Sequence, residues 1–466
     1  MKIKTNKYPT WIWQAGLTLF GFIMFFLIFS MGLNWHIKLD KTIYQYIGKV
    51  LLESQVLYQD VFDHKGPLVY FWHALGALFS PKNGIWVLDF ILFTTTLIYA
   101  FNLSARFTIK PLAFGVTIFL FSTLNFPDGI GNTESLCLLP LFVCLDKFCT
   151  YMTGKSPKKK DGFLLGLCLS VLLLIKPTHL IMPATLGAYA FCIGWHRRDW
   201  ATLKTLFSPA IFSFIGIILL TLSYFAYHHA LTDFWETYIL FNLSYTQKDA
   251  SLANQKQTIL FFISQQAIFI PLIGSAFLLF KKPPLIKTII FPILFAFIMT
   301  FGVIVAPGRK YLHYLILILP LSQLLLTLTL ASFNCFWKIF CMTVMGILLT
   351  YNLYGFLKFH TLDKILFTQN QRIFAAVLQK EVPPNTPFLD LTRSFSQLFL
   401  LSDRNSASKY PFTHFVVKKI AKELEEKGLP TYMVTIPSEI QPDMWTFYTR
   451  VYQNDFYCLL KRKSPH

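Results

Sequence analysis

The chain has 466 residues, of which 54% are hydrophobic and only 14% charged. Ordinary soluble domains carry about 25% charged residues, so the composition excludes a soluble, disordered, collagen-like or coiled-coil protein and leaves a polytopic membrane protein. The net charge of +19 lies largely in short loops between apolar runs, where the positive-inside rule and anionic headgroups account for it before nucleic acid does. Seven of the eight Cys sit in apolar runs or at their ends, Cys458 lies alone in the polar tail, and no CxxC occurs. Neither a disulfide framework nor a cysteine metal site is indicated.

In chain order, the first apolar run, Trp11 to Met31, follows Lys2, Lys4 and Lys7 and has no cleavage site. It predicts a retained transmembrane helix with a cytoplasmic N-terminus. Further runs of spanning length are 84–103, 111–125, 134–152, 162–176, 178–195, 207–226, 258–280, 286–306, 313–331 and 335–357, about eleven spans in all. Residues 67–79 are apolar but only 13 long, short of the roughly 17–25 a crossing needs, and predict an interfacial or re-entrant helix. Charge parity agrees. With eleven spans, Arg106/Lys110, Lys155 to Lys160, Arg197/Arg198/Lys204 and Lys281/Lys282/Lys287 all fall inside; a span at 67–79 would move Lys155 to Lys160 outside.

Three regions then face outward: the first loop (32–67), the loop at 227–257, and a tail from 358 to 466 whose composition changes to that of a small soluble α/β domain. Residues 1–357 form the transmembrane domain and 358–466 the second domain on this reading. The tail predicts helix 366–380, strand 386–392, helices 394–403 and 412–428, and strands 430–436 and 454–460, with Pro383-Pro384 and Gly428 as stop signals.

The suggestive polar residues share the outer face. They are Asp40, Tyr58, Asp60, Asp63, His64 and Lys65 in the first loop, then Asp128, Asn132, Thr133 and Glu134 in the second. Lys176-Pro177-Thr-His179 and Arg309-Lys-Tyr-Leu-His313-Tyr314 complete the set. Ionisable residues beside membrane spans are functional candidates by default. Carboxylates serve as general bases or metal ligands, and Lys and Arg grip phosphate. A phosphate-linked lipid donor needs both, since phosphate leaves without a general acid and one base suffices for an inverting displacement.

At these positions the chain resembles the polytopic GT-C glycosyltransferases, in the bacterial branch related to protein O-mannosyltransferases and the lipid A aminoarabinose transferase. The resemblance rests on Asp40, Tyr58-Gln-Asp60, Asp63-His64-Lys65-Gly66-Pro67, Asn132-Thr-Glu134, Lys176-Pro177, Arg309 to Tyr314 and Leu401-Ser-Asp-Arg404 to Tyr410. Two positions depart from the pattern, Lys41 where a second acidic residue is usual and Gly66 where a proline is.

The resemblance implies a GT-C-like helical membrane fold and transfer of a sugar from a polyprenyl-phosphate donor. The acceptor would be a lipid-linked glycan, lipid A or a protein, on the periplasmic side of a bacterial inner membrane. Asp40 would be the general base, although the helical pattern after it would also be met by an N-cap. Asp63 and Glu134 join it as catalytic carboxylates. Lys65, Arg309 and Lys176 would hold the donor phosphate, with Asp60, His64, Asp128, His313 and Tyr314 in acceptor-contacting or supporting roles. A divalent metal is the one cofactor the carboxylates would suit, and Lys41 weighs against it. The Asn242-Leu-Ser244 sequon is read as chance, and the tail as a lid or acceptor platform. The rival readings are an O-antigen-type polymerase or ligase, which the early Asp40 to Lys65 layout disfavours, and a transporter or lipid flippase, which calls for inverted repeats and midplane charges that the chain lacks.

Overall fold

The computed structural model describes residues 9–30, 39–81, 83–123, 131–247, 250–265, 272, 274, 284–359, 362–392, 394, 396–413 and 417–464. Asp128 and the Asn34 to Lys38 stretch lie outside these residues, as does most of 266–280. The chain gathers into two compact units: a helical unit (Met1–Phe26, Asp89–Tyr224, Leu243–Phe359) and a loop-and-tail unit (Leu27–Leu88, Phe225–Asn242, His360–His466).

Among the described residues, each of the eleven apolar runs carries a helix or part of one, from Thr10–Ser30 through Cys335–Phe359. Among the described residues, five helices are long and apolar enough to cross a bilayer: Gly84–Ala105, Thr133–Met152, Trp200–Tyr227, Thr288–Val305 and Leu312–Ser332. Of the other described helices, Lys159–Ile175 has 17 residues and Ile181–His196 has 16, both below that length. Proline and glycine punctuate the apolar sequence, as where Lys159–Ile175 ends at Lys176, whose extended backbone (φ −165°, ψ 117°) is what a residue before Pro177 adopts.

In the loop-and-tail unit, the Leu39–Leu52 helix packs against the Pro67–Phe79 helix, the 13-residue element predicted from sequence. Their backbones meet at Gly48, where a Cβ would stand 2.6 Å from the Ala74 nitrogen and the His73 carbonyl carbon. Gly66 precedes the second helix and Pro67 occupies its first turn, where a missing N–H is harmless.

The tail adds a helix, Leu362–Glu381, and a four-stranded sheet of β1 (Phe388–Asp390), β2 (Tyr432–Thr435), β3 (Tyr448–Gln453) and β4 (Cys458–Arg462) in the order β1-β2-β4-β3. β1 runs parallel to β2, with Leu389 opposite Met433, and the other pairings are antiparallel. Residues 454–457, predicted as strand, form the turn before β4, while β3 was not foreseen. It is an edge strand exposed along most of its length, so it lacks the buried alternation that marks a strand. The Val417–Lys427 helix ends at Gly428, whose φ of +80° is free of strain only without a Cβ.

Candidate functional site

The first loop builds a row of three charged or polar side chains. Asp63 and His64 are buried, and His64 Nδ1 lies 3.0 Å from Asp63 Oδ1. On the other edge of the imidazole, Nε2 lies 3.0 Å from the Lys65 Nζ. Burial alone would raise the Asp63 carboxyl, but the hydrogen bond from His64 and the Lys65 charge outweigh it and hold the group below its ordinary value. Burial pushes His64 down, the Lys65 charge adds to this, and Asp63 and Asp40 oppose it. A neutral imidazole results: it offers Nδ1–H to the carboxylate and its Nε2 lone pair to the ammonium.

The backbone of this row is held from several sides. Asp63 Oδ1 accepts from the His64 N–H at 2.7 Å, Tyr70 Oη from the Lys65 N–H at 3.1 Å, and the Lys65 carbonyl from the Tyr58 hydroxyl at 2.5 Å. The Asn242 amide donates to the His64 carbonyl at 2.5 Å. Tyr58 is fully buried, stacked on Phe225, with φ at +68°, a left-handed backbone in which non-glycine residues are strained. Asp60 stands apart from the row: it is exposed and caps its own turn by accepting from the Val56 N–H at 2.7 Å. Asp40 sits in the first turn of Leu39–Leu52, where the helix dipole favours a carboxylate. Next to it, Lys41 is buried with its ammonium 3.5 Å from the Trp86 ring centroid.

The tail docks onto this loop through the Leu401 to Tyr410 stretch. Asp403 pairs with Lys49 at 2.8 Å, Asn405 donates to Glu53 at 2.8 Å, and the Ser406 N–H donates to the Tyr46 hydroxyl at 2.8 Å. The Phe62 N–H, next to Asp63, donates to the Lys409 carbonyl at 2.8 Å. Arg404 turns the other way and caps the Leu362–Glu381 helix through the Gln379 and Val382 carbonyls.

In the helical unit, a second cluster centres on Glu134. Its carboxylate is buried, 3.0 Å from Lys176 Nζ, 3.8 Å from His179 Nε2 and 4.0 Å from His313 Nε2, and it accepts from the Thr133 hydroxyl at 2.8 Å. The Cys137 thiol lies 2.8 Å from His179 Nδ1, a contact that favours the tautomer presenting Nε2–H to Glu134. Lys176 also lies 4.2 Å from the Tyr314 ring. Asn132 stands at the N-cap but makes no side-chain cap bond. Arg309 stacks on Tyr245 at 3.9 Å and donates to its carbonyl at 3.0 Å.

Sequence reasoning passed over Asn242, the buttress of His64, and underweighted His179 and Cys137. Spacing carries no signal for them, since Asn242 is 178 residues from His64 and Cys137 is 42 from His179. Among the described residues, no group of three or more His, Cys, Asp and Glu is placed to hold a metal ion.

The fold of the chain is similar to those of ArnT and of an archaeal oligosaccharyltransferase. The chain is similar over 96% of its length to 97% of ArnT from Cupriavidus metallidurans bound to undecaprenyl phosphate, with a TM-score of 0.68 at 11% identity. The apo state of that protein matches with a TM-score of 0.61 at 12% identity, covering 93% of this chain and 97% of that one. An oligosaccharyltransferase of Archaeoglobus fulgidus, tethered to an acceptor peptide, matches with a TM-score of 0.53 at 11% identity over 98% of this chain and 74% of that one. No protein-family model and no curated protein sequence matches the chain.

Proposed function

We propose that the protein is an inverting membrane glycosyltransferase, moving a sugar from a polyprenyl-phosphate donor to a lipid-linked glycan, lipid A or a protein hydroxyl. The observation that carries the reading is the Asp63-His64-Lys65 row, a preset ammonium on a buried carboxylate and imidazole, within a full-length GT-C fold. The undecaprenyl phosphate in the ArnT structure supports a donor of that class. The reaction is assigned to the outer face of a bacterial inner membrane, with residues 358–466 as an extracytoplasmic domain.

Asp40 is the proposed general base, partly exposed and with its charge felt at His64. It takes the proton of the acceptor hydroxyl as that oxygen bonds to the anomeric carbon. The bond from that carbon to the phosphate oxygen breaks on the opposite side, and its electron pair leaves with polyprenyl phosphate. Lys65 is the cation proposed to stabilise the departing phosphate, and for Lys176 and Arg309 the same role is proposed from sequence alone. Asp63 and Glu134 support that chemistry by holding Lys65, through His64, and Lys176. His313 and Tyr314 are left to acceptor contact, Asp128 to the same role from sequence alone, and Asp60 to a supporting one through the turn it caps.

The test is transfer of labelled sugar from a panel of polyprenyl-phosphate donors, comparing wild type with Asp40→Asn. The reading expects a drop of roughly a hundredfold or more in the variant with the fold intact. Equal turnover removes Asp40 from the mechanism, and a wild type inert with every donor and acceptor defeats the transferase reading.

A further inference from the structure

The Val417–Lys427 helix of the tail carries Lys419 in its first turn, over an aromatic patch. Its ammonium lies 4.7 Å from the Phe62 ring centroid, 4.8 Å from Phe241 and 5.9 Å from Tyr410. These rings belong to the surroundings of the row: Phe62 precedes Asp63, and Phe241 packs on the His64 ring at 5.7 Å and precedes Asn242. The segment that supplies Tyr410 is rigidly held. Glu423 accepts from the Lys409 N–H at 3.0 Å and from the Ser408 hydroxyl, and Ser408 Oγ accepts from the Tyr410 N–H at 3.0 Å.

The electrostatics of Lys419 are unfavourable as they stand. A cation in the first turn opposes the helix dipole. Lys419 is exposed, yet the rings beside it partly desolvate the ammonium and lower its affinity for its proton; Lys409 lowers it further and Glu236 acts the other way. Lys409 is itself 3.5 Å from Asp233. Ring faces attract a cation but accept none of its three N–H bonds as a carboxylate does. Among the described residues, no carboxylate lies within ion-pair distance of Lys419.

We infer that Lys419, with Lys409 within electrostatic reach, is a phosphate-binding post that the tail contributes beside the Asp63-His64-Lys65 row. This rests on the transferase reading, and the phosphate belongs to the lipid-linked donor or to a phosphorylated acceptor. An anion there meets the N–H donors of Lys419 and the positive end of the helix, and offsets the repulsion from Lys409. The rings cover one side of the ammonium, and its exposure leaves the other side open to an anion.

Binding to the full-length protein in phosphatidylcholine nanodiscs tests this, with undecaprenyl phosphate, bisphosphorylated lipid A and phosphate-free undecaprenol as probes. Lys419→Gln is expected to weaken one or both phosphorylated probes by roughly tenfold or more and to leave undecaprenol unchanged. Lys419→Arg retains most of the affinity and controls for the integrity of the aromatic patch. The probe that responds identifies donor or acceptor. Unchanged binding of both phosphorylated probes overturns the inference, as does an equal loss with undecaprenol or equal competition by phosphatidylglycerol. A wild type that binds no phosphorylated probe defeats the underlying reading instead.

Discussion

The Lys65 ammonium and the His64 Nε2 stand 3.0 Å apart, so a buried neutral imidazole acts as the acceptor that aims a lysine. Lysine is otherwise a flexible point charge on a four-carbon stem. Here its direction is inherited from Asp63, which accepts at the far edge of the same ring.

On the proposed transferase function, Asp63→Asn is therefore expected to act through Lys65 rather than on the reacting bond. The amide keeps the volume but loses the charge-assisted bond, a change of about 1.5–3 kcal/mol. The donor KM rises roughly 10-fold to 100-fold while kcat falls less. Steady-state kinetics with a fixed acceptor check this, and a pure kcat effect with unchanged KM would place Asp63 at the chemistry itself.

Gly48 is where the helix bearing Asp40 meets the helix that follows the row. A methyl at this position would stand 2.6 Å from backbone atoms of His73 and Ala74, which have no rotamer with which to give way. Gly48→Ala is expected to separate the two helices and to destabilise the protein by about 1–3 kcal/mol. A lower melting temperature, with a larger loss in Gly48→Val, is the outcome to look for.

A pH effect is expected from the tail. Asp390, at the end of β1, is raised to about 6 by burial, against the bonds it accepts from Ser394 and Thr392. Its folded pKa lies above the unfolded value of 3.8, so its contribution is fully present below about pH 4 and is lost as the pH rises through about 6. The loss amounts to about 3 kcal/mol as an order of magnitude. Melting curves between pH 4 and 7 should show wild type falling relative to Asp390→Asn, and parallel curves would mean that Asp390 titrates normally.

Much of the architecture was legible in the chain itself. Apolar runs mark helices because burying backbone in lipid or core demands internally satisfied hydrogen bonds. Among the described residues each predicted run carries a helix or part of one, and Pro67–Phe79 begins at the proline that announces it. The Asp63-His64-Lys65 row was legible for a related reason: its members are neighbours in sequence, so a single turn brings them together. Edge strand β3 was not, because its exposed residues carry no pattern of burial.

By itself the sequence determined that the chain is a multi-pass membrane protein and where its described helices lie, since composition, periodicity and local order are properties of neighbouring residues. Only the tertiary structure decided that Asp60 caps a turn while Asp63, three residues on, anchors a lysine. It alone brought Asn242 to His64, His179 and Cys137 to Glu134, and Lys419 to Phe62. Such contacts join residues remote along the chain, and their energies depend on burial and distance, which exist only once the chain has folded.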